Sequence, residues 1–169
     1  MNKITPCLWF DMNCEEAVNY YISTFNGSPN KNAESKIISL QRYEEGMETP
    51  GIDQMVGKVL TVIFELNGQR FMALDGGPTF KFTEAISFEI ECDDQKEVDY
   101  LWEKLSAVPE FEQCGWIKDK FGVSWQIVPK RLGELLGDPD KEKAQRVMNA
   151  MLKMKKIEVD ELEKAYKGE

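Results

Sequence analysis

The chain has no histidine. That absence excludes a Ser-His-Asp triad and a Cys-His dyad. It also removes the side chain that most often ligates transition metals. Any catalysis would have to use carboxylates, lysine, tyrosine, a thiol, an amide or bound water. Cysteine is sparse: Cys7, Cys14, Cys92 and Cys114 include no Cys-x-x-Cys pair, so neither a zinc knuckle nor a redox dithiol is signalled. Reduced, packed thiols are the plain expectation. Basic charge is in deficit, with 21 Lys and Arg against 30 Asp and Glu, a net −9. Nucleic acid and anionic lipid both call for clustered cations, so neither partner is expected. No apolar run approaches the ~20 residues of a membrane span. The opening Met-Asn-Lys-Ile-Thr-Pro-Cys meets charge and proline too early for a signal peptide. A cytoplasmic location is the expectation.

What is present suits one domain with an appended helix or two: 169 residues, 42% of them hydrophobic. Ile4 to Phe10 reads as a strand. Cys14 opens a helix with Ala17, Val18, Tyr21, Ile22 and Phe25 at three- and four-residue spacing. Asn13 is the expected N-cap, with Glu16 completing a capping box. Ser35 to Tyr43 reads as a strand, and the Gly- and charge-rich stretch 44–57 as a loop. Lys58 to Leu66 and Gln69 to Leu74 form a hairpin about Asn67-Gly68. Ala85 to Cys92 alternates as a strand, and Asp93 and Asp94 open a helix carrying Val98, Leu101, Trp102 and Leu105. Cys114 to Pro129, CGWIKDKFGVSWQIVP, reads either as a hairpin or as a site. Its second run puts Val123, Trp125 and Ile127 on one face and Ser124 and Gln126 on the other. Amphipathic helices follow, offering Val147, Met151, Met154, Ile157 and Leu162 for burial.

The halves repeat at an offset of 80 residues: Cys7 falls on Ser87, Leu8 on Phe88, Val18 on Val98 and Tyr20 on Tyr100. The repeat predicts an α+β fold of duplicated βαβββ units with C-terminal helices. Residues 1–130 form the domain, with unit one about 3–78 and unit two about 84–130. Residues 131–169 form a helical extension. The second copy is the shorter, where the first has its long loop.

A duplicated βαβββ unit resembles the vicinal-oxygen-chelate superfamily of glyoxalases, bleomycin-resistance proteins and extradiol dioxygenases. Several stretches resemble its PhnB-like branch, often labelled 3-demethylubiquinone-9 3-methyltransferase. They are Ile4-Thr5-Pro6-x-Leu8-Trp9-Phe10-Asp11, Asn67-Gly68-Gln69-Arg70-Phe71-Met72-Ala73-Leu74-x-Gly76-Gly77-Pro78, and Cys114-Gly115-Trp116-x-Lys118-Asp119-Lys120-Phe121-Gly122-Val123-Ser124-Trp125-Gln126. The likeness reads over most of the chain, C-terminal helices included. It implies curved mixed sheets forming a cup, and a homodimer. The superfamily's metal-ligand positions carry over to Cys7, Met72, Ser87 and Gln126. A thiol, a thioether, a hydroxyl and an amide make a poor cage for a divalent ion, so neither metal nor cofactor is expected. The methyltransferase label finds no Gly-rich turn between a parallel strand and a helix.

Three readings of function follow. In the first, the cup binds an unknown small molecule against Trp9, Phe71 and Trp116, with Cys7, Ser87, Ser124, Gln126, Met72 and Cys114 as further lining candidates. In the second, an enzyme uses Cys114 or Cys7 as nucleophile and Asp75 or Glu65 as base. In the third, side chains fill the cup and the protein serves structure or a partner.

Overall fold

A computed structural model describes residues 4–48 and 52–169. The chain divides into two compact units, one running to Gly27 and resuming over Lys31–Lys81, the other made of Ser28–Asn30 and Phe82–Glu169.

The first unit is β1 (Cys7–Phe10), α1 (Cys14–Asn26), β2 (Lys36–Arg42), β3 (Val59–Leu66) and β4 (Gln69–Asp75). The sheet order is β1-β4-β3-β2, with β1 parallel to β4 and the remaining pairs antiparallel. Alternation buries Leu8, Phe10, Val62, Phe64, Leu66, Phe71 and Ala73 on one face, where α1 adds Ala17, Val18, Tyr21 and Phe25. Asn67 and Gly68 both take positive φ, 47° and 88°, as a two-residue hairpin turn of the primed type requires. Two expectations are corrected. The first strand begins at Cys7, and Ile4 is exposed. Asn13 makes no side-chain cap; the Asp75 carboxylate accepts from the Cys14 N–H at 2.9 Å instead.

The second unit is β5 (Phe88–Cys92), α2 (Gln95–Leu105), β6 (Trp116–Lys118), β7 (Ser124–Pro129), α3 (Lys130–Leu136), α4 (Lys141–Met151) and α5 (Val159–Lys167). Its sheet order is β5-β7-β6, with β5 parallel to β7 and β6 antiparallel to it. The offset of the repeat persists in burial: Val18 and Val98 are both fully buried, as are Tyr21 and Leu101. The full βαβββ pattern, however, belongs to the first unit only. In place of β2 the second unit has a 3-10 turn, Pro109–Phe111, and a single bridge between Gln113 and Trp116. In place of the loop 44–57 it has the two residues Cys114 and Gly115, both at positive φ, 51° and 85°. A side chain at Gly115 would meet Ile157 at 2.9 Å and the Ile127 carbonyl at 3.0 Å, so glycine is required there.

The C-terminal helices pack within their own unit. Val147, Ile157 and Leu162 are fully buried beside Leu132 and Leu135, with Met151, Met154 and Val128 against them. The segment after α4 accepts from the Cys114 N–H at Met154 (2.9 Å) and from the Gly115 N–H at Lys155 (2.8 Å). Gln95 takes the Val159 N–H at 2.8 Å and donates to the Ile157 carbonyl at 3.2 Å. Arg146 closes the end of α5 by donating to the Ala165 and Tyr166 carbonyls.

Candidate functional site

In each unit one sheet face is buried under a helix. The other face carries most of the residues singled out from the sequence.

In the first unit Cys7 stands opposite Met72, and Trp9 opposite Leu74. The Trp9 indole N–H donates to the Gly77 carbonyl at 2.8 Å. Its ring lies so close over Gly76 that a Cβ there would sit 2.1 Å from it. The exposed ring of Phe80 meets Trp9 edge-on, with centroids 4.9 Å apart. Phe71 is corrected: it is buried on the helix-covered face, stacked on Phe64 at 5.5 Å, because its strand neighbours Arg70 and Met72 take the opposite side.

In the second unit Gln126 lies directly opposite Glu89 on one side and Trp116 on the other. A carboxylate, an amide and an indole thus form one row across the three strands. The Gln126 Nε2 donates to the Ser87 Oγ at 2.8 Å. Gln126 alternates with Trp125 and Ile127, which are buried on the face that α2 covers, so its side chain lies on the opposite face. Ser124, two residues back on the same face, is 2% exposed, and among the described residues its hydroxyl has no partner. Lys118 pairs with Glu84 and lies 3.5 Å from the centre of the Phe111 ring. Val128, the next residue along this face after Gln126, packs against the C-terminal helices.

The thiols are not built as nucleophiles. Burial, with Asp75 adding to it, pushes the Cys14 thiol far up. Burial followed by Glu97 does the same for Cys92. Cys7 is exposed at the surface, but desolvation still raises its thiol. Cys114 serves the turn: its N–H holds Met154, and its sulfur accepts from Gln113 Nε2 at 3.2 Å. Neither candidate base is poised for proton transfer. Asp75 is buried as a helix cap, and Glu65 lies between Lys36 and Arg70 in the sheet register.

Two groups escaped the sequence reading. Asp119, read as part of a charged turn, is 1% exposed. Its Oδ1 accepts from the Phe121 and Val123 N–H groups at 2.8 and 3.0 Å, and its Oδ2 from the Trp125 indole at 2.8 Å. Glu89 was legible through the repeat, because an offset of 80 sets it on Trp9.

The donor set does not fit a divalent metal. Cys7 and Met72 supply soft sulfur, while Ser87 and Gln126 are neutral and bonded to each other. Among the described residues no three Cys, Asp or Glu side chains converge on one point.

A strand, a helix and a sheet closed by pairing the first strand parallel to the last, built twice, is the architecture of the vicinal-oxygen-chelate superfamily. Within it, the family model described as 3-demethylubiquinone-9 3-methyltransferase matches residues 2–128, and the chain belongs to that PhnB-like family. A solved PhnB protein of Bacillus cereus, carrying the same methyltransferase description, is 36% identical. It covers 76% of this chain and 99% of its own, with a TM-score of 0.59. A Pseudomonas aeruginosa protein shares the fold at 22% identity and a TM-score of 0.57, over 76% of this chain and 98% of its own. No protein with a curated description matches the sequence. The family match ends at residue 128, so the C-terminal helices, read from the sequence as part of the likeness, lie beyond it.

Proposed function

We propose that the protein is a metal-free small-molecule-binding member of the PhnB-like family, with its ligand on the face of the β5-β7-β6 sheet opposite α2. One observation carries this reading. The Gln126–Ser87 hydrogen bond uses one amide N–H and leaves the amide oxygen and the Ser87 proton as an adjacent acceptor and donor, one strand from Trp116. A few placed polar groups on an apolar support are what small-molecule sites need.

The methyltransferase description of the family names a reaction that this chain's residues do not support. Gly76-Gly77-Pro78 follows a hairpin strand and leads into irregular chain, not into a helix that could receive a cofactor's anionic end. Desolvation of the Cys7 thiol and the engagement of the Cys114 sulfur by Gln113 argue against nucleophilic chemistry as well. A homodimer in the cytoplasm belongs to the same proposal. It rests on the superfamily resemblance, since the C-terminal side chains offered for an interface are covered within their own unit.

The test is a ligand screen by amide NMR on chelator-treated protein. Binders should move the Gln126 side-chain amide and the Trp116 indole, and Gln126→Ala should weaken them at least tenfold. Transfer of a labelled methyl group from S-adenosylmethionine to a quinol would overturn the reading in favour of an enzyme.

A further inference from the structure

The residues around Gln126 also specify the charge of the ligand. Glu89 stands beside Gln126 in register and is exposed, and among the described residues it has no ion-pair or hydrogen-bond partner. Lys118, the cation on this face, is directed to Glu84 and to the Phe111 ring. Glu91 follows Glu89 on the same face, so an approaching anion would meet two carboxylates on this strand. The charged hydrogen-bonding group on this row is an acceptor, the carboxylate of Glu89. The amide oxygen of Gln126 accepts beside it, and the Ser87 hydroxyl and the second Gln126 N–H are the neutral donors. On the far side of Gln126 stands Trp116, whose indole is the side chain type that best attracts cations. Neighbouring strands lie about 4.8 Å apart, so carboxylate and indole are about 10 Å apart at the backbone with the amide between them. A cationic group seated over Gln126 lies one strand spacing from each of its neighbours in that row.

We propose that the row Glu89–Gln126–Trp116 recognises a positively charged, N–H-donating group, the ammonium or guanidinium end of a small organic molecule. This deepens the binding reading above and rests on it. A neutral ligand would leave the carboxylate of Glu89 unused, and a carboxylate or phosphate ligand would be repelled. Charge-assisted N–H···O bonds of this kind are about twice as strong as neutral ones.

Three probes of one shape separate the cases: 2-phenylethylamine, 2-phenylethanol and 3-phenylpropanoate, titrated into the full-length protein at low salt. The Trp116 indole resonance, assigned with Trp116→Phe, is the readout. The amine should shift it with at least tenfold higher affinity than the alcohol, the acid should leave it unmoved, and Glu89→Gln should remove the advantage of the amine. Glu89 is an exposed strand residue, so the variant should keep its fold, which its amide spectrum would verify. Equal binding of amine and alcohol, or an unchanged preference in Glu89→Gln, overturns the cationic assignment and leaves the binding site standing. If no probe moves the Trp116 or Gln126 resonances, both proposals fall.

Discussion

The carboxylate of Asp75 caps a helix that begins 61 residues earlier: its Oδ1 lies 2.9 Å from the backbone nitrogen of Cys14. Asp75 closes β4 beside Phe10, at the point where the chain leaves β1 for α1. The parallel pairing therefore brings the cap to the helix. An anion here also meets the positive end of the helix dipole.

Asp75→Ala should then cost about 1–2 kcal/mol, the usual loss on removing a helix N-cap. The Asp75 carbonyl, which accepts from the Tyr43 hydroxyl at 2.6 Å, survives this change, so the loss isolates the side chain. Urea unfolding of both proteins gives the number. A midpoint unchanged by the substitution would show that the cap contributes nothing.

Asp119 should matter more. Its carboxylate holds two backbone N–H groups of the β6–β7 turn and the indole of the fully buried Trp125. Asp119→Ala leaves these donors without a partner in a site closed to water, at a cost of about 3 kcal/mol or more. Trp125 fluorescence and near-ultraviolet circular dichroism should change with it. Stability within about 0.5 kcal/mol of the parent, the range of ordinary surface substitutions, would contradict this.

How much of this was legible varies with the range of the interaction. Helix faces were readable because Val18, Tyr21, Val98 and Leu101 follow a local period, and Asn67-Gly68 declares its turn. The Asp75 cap was not readable, since nothing near Cys14 indicates an acceptor 61 residues away. Cys114-Gly115 misled for a different reason. A non-glycine residue at positive φ is uncommon, and a cysteine among aromatic residues resembles a nucleophile more than a turn. The burial of Phe71 is legible from Met72: the two are consecutive in a strand and cannot share a face. The three-stranded second sheet follows from a loop so short that only Gln113 is left to pair on that edge.

The buried thiols predict the alkaline limit of stability. Burial raises Cys14 and Cys92 above the ordinary thiol range. In the unfolded chain they ionise near the usual value of about 8.5. Above that pH the unfolded state holds fewer protons than the folded state, so stability falls as pH rises. The contribution is complete below about pH 8 and declines by up to about 1.4 kcal/mol per pH unit for each thiol until the folded thiol itself ionises. Urea midpoints at pH 7.5 and 9.5 should differ, and the difference should shrink in a Cys14→Ala/Cys92→Ala double variant. An equal decline in that variant would assign the effect to other groups.

Truncation after Leu136 tests whether the last helices belong to the second unit or merely follow it. Val147, Ile157 and Leu162 are fully buried, and each contributes about 2 kcal/mol of transfer free energy. The cut also removes the Met154 and Lys155 carbonyls that satisfy the Cys114 and Gly115 N–H groups. It exposes Leu132 and Leu135 as well. A loss on the order of 6 kcal/mol from burial alone is comparable to the whole stability of a small domain. The shortened chain should therefore lose the dispersed amide resonances of β6 and β7, while those of β1, β3 and β4, built on the core of the first unit, persist. Retention of a native-like spectrum for residues 116–129 would show that the second sheet folds without its helices. Sedimentation of the full-length protein at micromolar concentration tests the dimer separately, and a monomer there would remove the homodimer from the proposed function.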